Sequence, residues 1–259
     1  GLGCIPSAPG DTIRSMARLA VDSLPPRVDL RSGLPPVGDQ GVTQSCVAWA
    51  VGYYAKSYQE GLEQQWPLTL RSSQFSPSYI YNQRPGDCAR DQGMTILHAL
   101  QIVSQGAATW AAMPWTSRNL CAQPSPAVRE AAREYRIASY AAVPRDPLQI
   151  KAHLAAGRPV VLGVAVYASM RSAGAVIGPP KSGDAFVGWH AVTAVGYDAQ
   201  GILIVNSWGT RWGDRGYATL TDAFVQGYVC EAWIMHDADA TPPAPPSRCG
   251  VISSARSQA

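Results

Sequence analysis

Charge is scarce in this chain. Only 15% of its 259 residues are Asp, Glu, Lys or Arg, and 21 basic against 18 acidic residues leave a net of +3. No run or stripe of Lys and Arg occurs, so the electrostatic footprint of a nucleic-acid binder is missing. No apolar run approaches the roughly 18 residues that span a bilayer. Phenylalanine is down to three, and only four histidines exist to serve as a general base. No internal repeat is found. The chain opens on Gly1 without an initiator methionine, as a processed chain does, and a signal peptide would lie outside it.

What is present reads as globular and loop-rich. A hydrophobic content of 46% is enough for one large domain or two small ones. Glycine at 24, proline at 21 and tryptophan at eight argue against a simple helical bundle. Six cysteines favour an oxidising compartment over buried thiols in a cytosolic enzyme, so a secreted or periplasmic location is expected.

The proline-rich stretch LPPRVDLRSGLPPVGDQG is expected to be extended, because each X-Pro step disfavours the helical basin before it. From Cys46 to about Glu60 the pattern fits a mostly buried helix. SPSYIYNQR offers a second helix with Ser76 as cap and Pro77 in its first turn. MTILHALQIVSQG is a third, closed by Gly106. The second half changes character: RPVVLGVAVY, AVTAVGYD, GILIVNSWG and GYATL are rich in Val, Ile and Tyr and bounded by glycine, which reads as strands. Helices first and strands second imply an α+β architecture. The tail TPPAPPSRCG is a Pro-rich extension.

One cysteine stands out. In GDQGVTQSCVAWAVGYY a polar turn runs into an apolar helix with Cys46 at the junction, after Ser45, a residue suited to capping. The partial positive charge of a helix start lowers a thiol pKa, so the position suits a nucleophile; a small buried hydrophobe is the alternative. A thiolate nucleophile needs a base, and the base an orienting group. His98, His153 and His236 lie in a helix, in a helix-like stretch and near the tail. His190, in GWHAVTAVGYD, opens an apolar strand, and Asn206 ends the next one. A turn at GYDAQG would bring the two together, with Trp208 over them.

These segments, DQGVTQSCVAWA, GWHAVTAVGYD and IVNSWGTRWGDRGY, together resemble the papain-like cysteine proteases. His190 lies 144 residues beyond Cys46 and Asn206 lies 160 beyond, in the family's order and near its spacing. The resemblance implies Cys46 as nucleophile and His190 as its base, the two forming a thiolate–imidazolium pair. Asn206 would hold the His190 ring, and Gln40 would be an oxyanion donor acting with the Cys46 backbone N–H. Trp208 would be a shield. Gly93 and Met94 in DQGM stand where the family has a substrate-binding wall, Gln44, which replaces a family glycine, stands beside the cleft, and Trp189 and Trp208 are further substrate-binding candidates. The family's Cys-Gly-Ser-Cys-Trp is here Thr43-Gln44-Ser45-Cys46-Val47, which removes one usual disulfide. Cys88 and Cys121 resemble a family disulfide. Cys230 sits at another family position without its usual partner, leaving Cys249 as the nearest candidate.

The expectation is therefore a papain-like two-lobed fold, a helical left lobe (about 24–135) and a β-barrel-like right lobe (about 136–237) with the cleft between them. Residues 1–23 form a short leader, expected to occlude the cleft with Cys4 as a candidate inhibitory thiol reaching Cys46; 238–259 form the Pro-rich extension. The expected activity is peptide-bond hydrolysis through a Cys-His-Asn thioester, on protein or peptide substrates, by a monomer made as a zymogen and using no metal or organic cofactor. A non-catalytic binding relative and a Cys-His acyl transferase are the rivals, and a secreted interaction module built on the tail is a weaker third reading.

Overall fold

A computed structural model describes residues 1–8, 15–19, 21 and 23–237. The Pro-rich extension and Cys249 lie outside the described residues.

The longest helix, α1, runs continuously through Cys46–Ala48, Trp49–Lys56 and Ser57–Glu63, its middle wound with π-helical geometry. Ser45 does not cap it by hydrogen bonding, because its hydroxyl is taken by Thr43 Oγ1 at 2.7 Å. Helix α2, Pro77–Tyr81, starts as its sequence implies: Ser76 Oγ accepts from the Tyr79 N–H and Pro77 fills the first turn. Helix α3, Ile96–Gln105, is capped by Thr95 and ends at Gly106, whose φ of 147° suits glycine. Three further helices, α4 (Pro126–Ala132), α5 (Pro147–Ala155) and α6 (Asp222–Tyr228), are capped by Ser125, Asp146 and Thr221.

The strands are β1 (Val28–Asp29), β2 (Ile137–Ala142), β3 (Val160–Tyr167), β4 (Val176–Ile177), β5 (Phe186–Asp198), β6 (Gly201–Val205), β7 (Tyr217–Leu220) and β8 (Val229–Asp237). They form one eight-stranded sheet in the order β2-β8-β3-β5-β6-β7-β4, with β1 paired to β5. The sheet is open, with β2 and β4 at its ends, so the expected barrel-like half is not closed. All neighbours are antiparallel except β4 and β7.

Two apolar clusters hold the halves. One packs α1, α2 and α3 against Trp233 and Met235 of β8. The other fills the sheet's far face against α5 and α6 with Val160, Leu162, Ile204, Leu220 and Phe224. An aromatic group of Trp49, Tyr53 and Tyr54 joins α1 to Val195 and Val205. Helix α1 is therefore buried on nearly all sides, which explains why its residues Cys46 to Tyr54 carry so little polarity.

Candidate active site

Strand pairing brings the histidine and the asparagine together. Thr193 faces Val205 and Asp198 faces Gly201, so the hairpin turns where the sequence places its glycine. His190 on β5 and Asn206, just past β6, then meet: His190 Nε2 and Asn206 Oδ1 lie 2.8 Å apart. The Asn206 oxygen also accepts the Ser207 N–H at 2.7 Å, which fixes the amide as an acceptor and makes Nε2 the protonated ring nitrogen. The other nitrogen, Nδ1, is buried without a hydrogen-bond partner. Trp208 lies over the ring, with centroids 4.5 Å apart and planes 34° apart.

The helix is registered onto this pair by the Tyr54 side chain and by the Ala50 backbone carbonyl. Tyr54 donates to the Asn206 carbonyl and accepts from the Gly38 N–H, both at 2.9 Å. Thr193 donates to the Ala50 carbonyl at 3.0 Å. Cys46 at the helix start is thereby held against β5, where the Ala191 backbone N–H reaches its thiol.

Gln40 is held at both ends. Its Nε2 donates to the Thr43 carbonyl at 2.6 Å and its Oε1 accepts from Ser207 at 2.6 Å, while Thr43 Oγ1 closes the turn onto the Gln40 carbonyl. One Nε2 hydrogen is left over from these bonds.

Gly1–Ile5 runs through the groove between the two sides. The Gly3 N–H donates to the Trp189 carbonyl, the Met94 N–H to Gly3, the Ile5 N–H to Met94, and Trp208 Nε1 to the Gly1 carbonyl. Cys4 pairs with Met94 in parallel. The wall backbone that binds this segment belongs to Met94. Gly93 contributes room instead: its φ is +80°, and a Cβ there would sit 2.2 Å from the Gly3 carbonyl oxygen. Gln44 backs onto Gly3 and is anchored to Asp91, which takes its backbone N–H and also binds Tyr81.

The papain family cysteine protease profile matches residues 24–232. The chain belongs to the papain family of cysteine proteases. Xylellain, a cysteine protease from Xylella fastidiosa, superposes with a TM-score of 0.82 over 92% of this chain and 96% of its own, at 28% identity. An uncharacterized peptidase C1-like protein of Acanthamoeba polyphaga mimivirus is 27% identical over 77% of this chain and 69% of its own length. Cathepsin B-like CP1 of Giardia intestinalis is 26% identical over 76% and 68%. The protein is thus a papain-like cysteine peptidase, a hydrolase.

In this protease the covered groove works against charge. Burial pushes the Cys46 thiol up to about 12, partly offset by the Ala191 and Val47 backbone N–H groups. Burial pulls His190 down to about 3, opposed by its bond to Asn206. Both shifts oppose the expected thiolate–imidazolium pair while Gly1–Ile5 lies in the groove. Both groups are shut from water, and His190 Nδ1 makes no hydrogen bond to the thiol.

The cysteines depart from expectation in one place. Cys88 and Cys121 form the expected disulfide. Cys230 has no disulfide partner among the described residues, its expected partner Cys249 lying outside them, and it donates to the Gly163 carbonyl at 3.3 Å. Cys4 is free and does not bond Cys46; its side chain instead packs beside Gly163 and points at Glu231, 3.9 Å away. Burial and the nearby thiol and carboxylate groups raise its pKa well above the ordinary value. Glu231 also accepts from Ser7 and Trp233. Sequence reading missed it, although an acid inside the apolar run VCEAWIM was its signal. Asp91 was missed as well, for its role exists only across loops. His98, His153 and His236 lie on α3, α5 and β8, away from this cluster.

Proposed function

We propose that this protease cleaves peptide bonds through a thioester on Cys46. The observation that carries the reading is the His190–Asn206 bond, which leaves Nδ1 as the ring atom for the thiol proton. Once the groove is open, Nδ1 takes that proton as Sγ attacks the scissile carbonyl. The oxyanion faces the Cys46 backbone N–H and the remaining Gln40 Nε2 hydrogen. Collapse breaks the C–N bond, and the leaving amine takes the proton from Nδ1. Water, deprotonated by the same nitrogen, then hydrolyses the thioester and frees Cys46. Residues before the cut occupy the arm walled by Met94. The leaving half occupies the arm beside Trp208, because the ring that protonates the amine lies under that indole.

The chain is a zymogen in this reading, with residues 1–23 as leader, 24–237 as catalytic domain and 238–259 as extension. The hydrogen bonds of Gly3 to Met94 and Trp189 support occlusion. The Cys88–Cys121 disulfide supports a secreted or periplasmic location. A fluorogenic peptide panel with the intact chain, Cys46→Ala and the chain lacking residues 1–23 tests both parts. Cleavage that needs Cys46 and releases new amino termini is expected, and it rises on deletion. Joined products would indicate an acyl transferase; unchanged hydrolysis after deletion would end the zymogen reading.

A further inference from the structure

The leaving-group arm of the cleft is a groove of about 340 Å³ floored by Trp208 and Trp212. Its rim carries Arg171 and Arg211, both exposed, with Asp39 and Gly41 opposite. Neither arginine has an ion-pair partner among the described residues. Asp39 is partly engaged, one oxygen accepting the Gly41 N–H at 2.8 Å. In a chain so poor in charge, two unpaired guanidinium groups on one small groove are a local excess of positive potential. The groove is also shaped for a peptide: Trp208 Nε1 donates to the Gly1 carbonyl at 3.1 Å.

We infer that Arg171 and Arg211 select substrates with an acidic side chain at the first or second position after the cut. This rests on the peptidase reading above. A guanidinium meets a carboxylate through a planar two-pronged set of N–H donors, and a lysine on the substrate would be repelled by the same pair. The other arm offers a carboxylate instead, since Glu231 faces Cys4 there. The two arms therefore present opposite charges to the two sides of the scissile bond, which fixes register and direction.

The magnitude is set by exposure. Two solvent-exposed ion pairs are worth roughly a 3- to 10-fold preference together, and salt screens them. The test uses the intact chain and internally quenched peptides with one shared acyl half and Asp, Ala or Lys in the two positions after the cut, with the cleaved bond located by mass spectrometry. Occlusion by the N-terminal segment scales kcat/KM for every peptide alike, so ratios read the groove alone. The expected result is Asp over Lys by about 3- to 10-fold at low salt. That ratio should shrink in 0.5 M NaCl and invert in the double variant Arg171→Glu, Arg211→Glu. Equal kcat/KM for Asp and Lys peptides, with cleavage still dependent on Cys46, overturns this inference and leaves the peptidase reading standing. So does a preference that survives charge reversal. Absence of any Cys46-dependent cleavage overturns both.

Discussion

Gly3→Ala is the sharpest perturbation of the occluded groove. A Cβ at Gly3 would sit 2.0 Å from the Gln44 carbonyl oxygen and 2.5 Å from its carbon. Those are backbone atoms of a turn pinned by Asp91, so the wall does not yield and the segment must lift. Lifting breaks two hydrogen bonds of residue 3, from its N–H to Trp189 and from Met94 to its carbonyl. At about 0.5–1.5 kcal/mol each, the closed state loses about 1–3 kcal/mol. That raises the open fraction about 5- to 150-fold while the closed state still dominates. Initial rates on a fluorogenic peptide should rise by that factor in the variant. They should not exceed the rate of the chain lacking residues 1–23, which is the fully open limit. A variant that melts like the wild type yet cleaves no faster would refute the argument, because the clash is unavoidable if the segment seats as described.

Gln40→Ala should lower kcat by about 10²–10³ with little change in KM, since an oxyanion donor acts in the transition state; a pure KM effect in steady-state kinetics would reject that role. The pH dependence follows from His190. Its covered form sits near 3 against an ordinary 6.5, so the open state takes up the proton first, and the closed state loses stability as pH falls from 6.5 towards 3. The ratio of intact-chain to leader-deleted rates should rise between pH 7 and pH 5, by up to about tenfold per unit, and a flat ratio would contradict it. Lys56 is fully buried and binds Glu60 at 2.7 Å and also Asp237. Lys56→Met removes the buried ammonium that faces these two carboxylates, and urea unfolding should show a loss of about 3–5 kcal/mol; an unchanged midpoint would show that the charges were never desolvated.

The site was legible because its chemistry is carried by short, contiguous strings. Cys46 stands at a turn-to-helix junction, and His190 and Asn206 end up paired because one hairpin separates them. What escaped reading depends on long-range packing. Strands β2 and β8 and the acid Glu231 take their meaning from neighbours more than ninety residues away. Ser45 looked like a cap from composition, but a competing hydroxyl two residues back took its bond. The disulfide at Cys88 and Cys121 was readable from resemblance. The contact of Cys230 with the Gly163 carbonyl was not, because it joins two strands far apart in sequence. The groove arginines lie forty residues apart, Arg171 in the short 3-10 helix Ala168–Ser172 and Arg211 in a turn, so no local pattern announced them.

The pairing of Cys4 with Met94 is parallel, and it sets the direction in which Gly1–Ile5 lies in the groove. Gly1 lies in the leaving-group arm and Ile5 beside Met94, so the segment enters from the side where a substrate leaves. A substrate laid in the productive sense runs the other way. Each peptide unit of the segment is therefore reversed relative to a substrate in the proposed mechanism, which would hold such a stretch rather than cut it.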